Sequence, residues 1–330
     1  MELGGDSPLE RLGAAADRDF PNLFRARQRT TTGLAERRAR LSRLDHGRET
    51  SVVLMGSWGR AEVTTGSDDD FMVLVGGAKR RRVKPSMRAI RGVLTQAPGK
   101  RGVFGGPVFS ERLVQDIGLD RDDNKNLTRR MLFLLESVPV TADDVYSEIR
   151  DRVLRQYLDE SIKPFRPPRF LLNDTVRYWR TICVDFAGKE REGPEKWGIR
   201  NAKLRTSRKI LFAGGLLPIL DCSRFDRAAM GEFLRRQFEM PPTDRLAHAF
   251  LEHGAIDAGA RALGAYDEFM GRLDDEGFRR ELQEVTRDSA NESDAFADVR
   301  ELGGDLQAGL LALLFETEPL RDVVRDYGIF

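Results

Sequence analysis

With 330 residues, the chain is long enough for a sizeable core and suits two domains better than one. Its 54 Lys and Arg nearly cancel its 53 Asp and Glu, which excludes a global basic field and makes any nucleic-acid contact local. The 2 cysteines, Cys183 and Cys222, suit neither a disulfide scaffold nor a zinc knuckle, and no apolar run approaches the ~20 residues of a membrane span; a cytoplasmic protein that is not membrane-embedded is expected.

Gly, Asp and Ala dominate the first 20 residues. Leu34, Leu41 and Leu44 then recur at helical spacing among arginines, predicting an amphipathic helix over 25–44 with a basic outer face. Two hydrophobic runs, 51–55 and 71–75, read as strands. Val83, Met87, Ile90 and Leu94 recur at steps of three and four, so a basic-faced helix is expected over 79–94. Gly and Pro punctuate 101–118, which reads as one or two short strands, and 122–137 opens with acidic residues that suit a helix start. The stretch KPFRPPRF (163–170) resists helix and marks a boundary between a mixed domain over 1–162 and an all-helical domain over 163–330. Within the second domain the polar stretch ESDAF (292–296) is expected to be a flexible loop. The coarse class is therefore α+β.

The chemistry concentrates in GSWGRAEVTTGSDDDF (56–71), where a Gly-Ser turn and three adjacent aspartates sit between the two strand-like runs. In extended chain, residues two apart share a face, so Asp68 and Asp70 project together while Asp69 points away. Two carboxylates held that close repel unless a cation joins them, and a hard divalent ion such as Mg²⁺ or Mn²⁺ takes oxygen ligands of this kind. Gly56 lets backbone approach a phosphate, Ser57 and nearby backbone N–H groups can donate to it, and Arg60 can pair with the aspartates or reach the phosphate. An acidic turn beside a tight corner is the plain structural alternative for the same residues.

The combination of Gly-Ser, an Arg and Glu after it, and Ser-Asp-x-Asp leading into an apolar strand resembles the signature of the DNA polymerase β-like nucleotidyltransferase superfamily. That resemblance implies a small mixed sheet with helices, followed by an all-helical domain that closes the nucleotide cleft. It also implies two-metal phosphoryl transfer, with Asp68 and Asp70 binding two Mg²⁺ or Mn²⁺ ions and pyrophosphate leaving from a nucleoside triphosphate. Polymerising members carry a third carboxylate on a later strand; Asp116, at the end of the strand-like RLVQD, is the candidate for this metal-binding role, with Glu111 behind it. Without a third carboxylate, one-step transfer is favoured over chain extension.

In IRNAKLRTSRKIL, Arg200, Lys203 and Ser207 recur at steps of three and four, one face of a helix, which reads as a solvated basic face or as a triphosphate site. The superfamily's helical domain offers a Lys and a Ser four apart to nucleotide phosphates, so the resemblance favours the second reading. Trp179 shares a face with Val176 and Cys183 and is expected in the core, and His46, His248 and His253 are scattered without a metal-ligand pattern. Tyr327 stands four residues from the end of LRDVVRDYGIF, as an anchor for the tail or as a hydroxyl that a mobile tail brings to the metal site as primer.

The layout with its terminal Tyr is similar to the DNA-oligomer-synthesising nucleotidyltransferases of bacterial Hailong anti-phage defence systems. The expected substrate is therefore a nucleoside triphosphate, (d)ATP first, with a short single-stranded DNA oligomer as product and defence signal and a partner effector protein to receive it. Cyclic oligonucleotide synthesis, transfer of one nucleotide to a protein or tRNA, and an inactive nucleotide-binding regulatory module are the alternatives.

Overall fold

The computed structural model describes residues 6–44, 49–76, 87–94, 103–159, 163–193 and 195–328. The chain divides into two compact units, Ala26–Lys163 with Arg227–Arg235, and Met1–Arg25 with Pro164–Asp226 and Arg236–Phe330. The break at 163/164 lies one residue from the boundary expected at the prolines, whereas the N-terminal residues go with the second half and 227–235 with the first.

The chain runs α1 (Pro8–Ala16), α2 (Pro21–Leu41), β1 (Thr50–Met55), β2 (Phe71–Val75), α3 (Met87–Val93), β3 (Pro107–Phe109), α4 (Ser110–Gln115), α5 (Asn124–Leu135), β4 (Ser137–Pro139) and α6 (Asp143–Tyr157). Only helices of α or 3₁₀ type follow among the described residues: α7 (Arg169–Glu192), α8 (Trp197–Arg205), α9 (Ser207–Asp221), α10 (Arg227–Glu239), α11 (Pro242–Glu252), α12 (Ile256–Asp274), α13 (Glu276–Glu284), α14 (Asp294–Glu316) and α15 (Leu320–Tyr327). The class is α+β, with a small mixed sheet.

In the sheet unit the strand order is β3-β2-β1-β4. β1 is antiparallel to both β2 and β4, while β3 lies parallel to β2 with Leu74 opposite Val108. β1 and β2 are buried along their whole length, so they read as continuous apolar runs instead of alternating ones. Their two faces still differ in partner. Val52, Leu54, Phe71 and Val73 join Leu34 and Leu41 of α2 and Ile90 of α3 in one core. The neighbouring positions Val53, Met55, Met72 and Leu74 belong to the opposite face, and α6 packs on β1.

Two local expectations need correction, and a third is described only in part. The segment read as strand through RLVQD is helix α4, because β3 stops at Phe109 and Ser110 opens a helical turn at once. Of the helix expected over 79–94, only α3 is described, and 77–86 lies outside the described residues. ESDAF is a helix start, not a flexible loop: Ser293 caps α14 by accepting the Phe296 N–H at 3.2 Å, an N-cap device satisfying a helix-end donor.

The helical unit is organised by α12 against α14 and by α9 against α11. α12 and α14 approach closely at Gly309, where an added Cβ would stand 2.4 Å from the Ala258 carbonyl oxygen. Buried polar groups tie the N-terminal helices in. Asp244 accepts the Leu9 N–H at 3.1 Å, and Asp267 accepts the Leu23 N–H at 2.8 Å.

Candidate functional site

The Gly-Ser stretch leaves β1 as a compact turn. Arg60 N–H donates to the Gly56 carbonyl at 3.0 Å and Glu62 N–H to the Ser57 carbonyl at 2.8 Å. Gly56 has a φ of +65°, in the left-handed region that glycine adopts without a Cβ clash. A Cβ there would lie 3.3 Å from Asp70 Oδ2, so the missing side chain is also the space into which that carboxylate leans. Gly59 is constrained by packing instead: its Cβ would fall 2.1 Å from the Glu136 carbonyl oxygen, which no side chain can do.

The three aspartates precede β2 in extended chain, and the Asp70 carbonyl accepts the Met55 N–H at 2.8 Å, continuing the β1–β2 pairing. Alternation then separates them. Asp69 shares parity with Phe71 and Val73, the residues facing α2, and is fully buried. Its carboxylate receives the Arg37 guanidinium of α2, from Nε at 3.1 Å and Nη2 at 2.8 Å, both on Oδ1. Asp68 is exposed and Asp70 half-buried. The Arg37 guanidinium also lies 4.0 Å from the centroid of the Trp58 ring, within cation–π range. Trp58 Nε1–H in turn donates to the Asp68 carbonyl at 3.0 Å.

Arg60 is tied to two glutamates. It is buried and donates Nε to Glu62 at 2.7 Å and Nη1 to Glu136. Its guanidinium is thus held by two carboxylates, Glu62 from the same turn and Glu136 from the end of α5.

Asp116 is the C-cap residue of α4, buried, with its Oδ1 bound to Arg121 Nε at 2.5 Å. Glu111, in the first turn of the same helix, binds Arg152 at 2.7 Å. Among the described residues no group of three or more His, Cys, Asp or Glu is arranged to hold a metal ion, so Asp116 does not complete a three-carboxylate set with Asp68 and Asp70. The Asp68 and Asp70 carboxylates and the Ser57 hydroxyl are all hard oxygen donors, and Asp70 leans over Gly56, which has no side chain. That donor set fits a divalent ion such as Mg²⁺ or Mn²⁺ held by one or two carboxylates together with substrate oxygens.

In the helical unit, Arg200 and Lys203 lie on α8, half-buried and exposed respectively, and Ser207 is the buried first residue of α9. The backbone breaks between them at Thr206 (φ −121°, ψ −91°), so the single helical face read from the spacing is divided over two helices. Two residues further on, Lys209 is half-buried, and burial followed by the nearby Arg205 cation lowers its pKa from the ordinary value. Burial of this kind leaves no mark in sequence spacing.

Tyr327 closes α15 instead of standing on a free tail, and it is half-buried with the Arg169 guanidinium 5.6 Å from its ring centroid. Ile329 and Phe330 lie outside the described residues. Trp179 is half-buried and stacked on Phe212 with centroids 5.1 Å apart. His253 is buried and shares a 2.8 Å hydrogen bond with Asp221, and both cysteines are free thiols. His46 lies outside the described residues. A cavity of about 630 Å³ in this unit is walled by Arg18, Arg261 and Arg272. Those cations pair with Glu268, Asp305 and Asp298 in the same wall. No helix among the described residues is long and apolar enough to cross a membrane.

No family model matches the chain, and no curated protein matches it.

Proposed function

We propose that the chain is a divalent-metal-dependent nucleotidyltransferase acting on a nucleoside triphosphate. The observation that supports this reading best is the sorting of the three aspartates. Asp69 is buried against α2, while Asp68 and Asp70 remain on the other face beside a glycine turn. The Arg37-paired, buried Asp69 serves packing, whereas an exposed and a half-buried carboxylate beside a Gly-Ser turn suit a cation and phosphate oxygens.

When bound, the divalent ions supply Lewis-acid polarisation of the phosphate oxygens and lower the pKa of the attacking hydroxyl. Asp68 and Asp70 would hold the ions, and the Ser57 hydroxyl would orient the triphosphate. The acceptor oxygen attacks the α-phosphorus in line and forms a new P–O bond. The bond from the α-phosphorus to the bridging oxygen breaks, pyrophosphate leaves with that electron pair, and the hydroxyl proton passes to solvent.

In the form we favour, the acceptor is the Tyr327 hydroxyl and repeated transfer of deoxynucleotides, (d)ATP first, builds a short single-stranded DNA oligomer that signals to a partner effector in antiviral defence. One observation favours a second reading, single transfer to a protein or tRNA: Asp116 and Glu111 are engaged by Arg121 and Arg152, so the carboxylate set stays at two. Incubation with α-phosphate-labelled dNTPs and NTPs, with Mg²⁺ or Mn²⁺, separates the outcomes. A protein-attached ladder supports Tyr327-primed synthesis, label on an added protein or tRNA supports the second reading, and a compact free product points to cyclisation. Absence of any labelled product with every triphosphate overturns the proposal.

A further inference from the structure

We propose that Arg37, Trp58 and Asp69 form a positioning unit that holds Asp68 and Asp70 in their metal-binding arrangement. The inference rests on the nucleotidyltransferase reading above and names residues that bear no ligand themselves.

Each link is short and directional. The Arg37 fork meets Asp69 Oδ1 through two N–H groups, and its third nitrogen, Nη1, donates back to the Gly33 carbonyl of its own helix at 3.3 Å. The guanidinium is therefore fixed in orientation as well as place, unlike a lysine ammonium on a flexible stem. Its face stacks on Trp58, the residue after Ser57. The indole is itself seated against Gly33, where an added Cβ would stand 2.8 Å from the ring. From that seat Nε1–H reaches the Asp68 carbonyl. One helix thus fixes the backbone of Asp68, the side chain of Asp69 and the turn residue beside Ser57. With Asp69 anchored on the α2 side, period two leaves Asp68 and Asp70 no choice of face. A middle residue with no polar partner would remove the side-chain tie between this segment and α2.

Mn²⁺ binding to the full chain without nucleotide, followed by the EPR signal of free Mn²⁺, tests this. Supporting partners of metal ligands typically contribute ~10–100-fold to metal affinity, and Asp69→Asn and Arg37→Met are each expected to weaken binding by that amount. Arg37→Met also separates positioning from charge. Deleting a cation makes the site more negative, so a purely electrostatic role gives tighter Mn²⁺ binding, whereas loss of positioning gives weaker binding. Trp58→Phe keeps the aromatic face and the charges and removes one hydrogen bond; about fivefold weaker binding is expected. Arg37→Lys should recover part of the loss.

Where a charge variant fails to fold by circular dichroism, Trp58→Phe decides. Wild-type Mn²⁺ affinity in folded Trp58→Phe, or tighter binding in folded Arg37→Met, overturns the inference. If Asp68→Ala with Asp70→Ala leaves Mn²⁺ binding unchanged, the nucleotidyltransferase reading fails first, a result distinguishable because the ligand pair itself then has no effect.

Discussion

Arg37 on α2 and Asp69 ahead of β2, 32 residues apart in sequence, form an ion pair at 2.8 Å in which the aspartate side chain has no solvent exposure. Removing one partner of a buried pair strands the other, at a cost of roughly 3–5 kcal/mol. Arg37→Met and Asp69→Asn should therefore lower the urea midpoint sharply. The double replacement Arg37→Met with Asp69→Leu, which removes both charges, should recover most of that loss. A single variant as stable as the wild type would contradict the buried-pair account.

Glycines around the turn should respond according to what a Cβ would meet. Gly59→Ala pushes a methyl into the Glu136 backbone and should cost at least the ~1–3 kcal/mol of overpacking. Gly56→Ala adds a left-handed strain of about 1–2 kcal/mol and crowds the Asp70 carboxylate, so activity should fall more than stability. Gly92, inside α3 with nothing within 4 Å, is the control: Gly92→Ala should stabilise by about 0.5–1 kcal/mol. Thermal melts of the three variants check the order.

Arg60 behaves as a structural cation in this account. Arg60→Met leaves Glu62 and Glu136 buried side by side without their shared guanidinium, and should destabilise by roughly 3–5 kcal/mol. If instead the variant stays fully stable and only KM for the triphosphate rises, Arg60 serves phosphate and its place in the ion cluster is secondary.

His248 gives the helical unit a pH response. Burial is the main cause that holds its pKa below the ordinary 6.5; Arg11 and Arg224 push the same way, against Glu252 and Asp221. The unfolded chain then binds a proton more readily than the folded one. This contribution to stability is complete above 6.5 and is lost as pH falls from there toward the depressed folded value. His248→Gln should flatten the stability profile over that window, measured by urea unfolding at a series of pH values.

Tyr327→Phe removes a hydroxyl and keeps the ring that packs beneath Arg169. Priming from Tyr327 requires that this variant form no protein-linked product while keeping the wild-type melting temperature. Normal initiation by the variant assigns the tyrosine to anchoring α15.

Local periodicity makes part of this fold legible in the residues alone. The sheet runs follow from continuous apolar stretches, and the helical character of the second half from spacing of three and four. Interactions across long sequence separations leave no such trace. Asp69 reads only as the aspartate that points away until α2 brings Arg37 to it, and nothing near Arg60 in sequence announces Glu136, 76 residues away, as a partner of its guanidinium. Short elements mislead for a different reason. Gly-Gly-Pro before Val108 signals an extended chain, but β3 ends after three residues and Ser110 starts a helix, moving Asp116 from a strand end to a helix C-cap. Thr206 likewise divides a spacing pattern that carries no sign of a break.

Pyrophosphate release from (d)ATP and the other nucleoside triphosphates, compared between the wild type and Asp68→Ala with Asp70→Ala, tests the central claim most directly. The account requires metal-dependent release by the wild type, abolished by EDTA and by the double replacement in a protein that remains folded. Pyrophosphate release that survives loss of both carboxylates would contradict it.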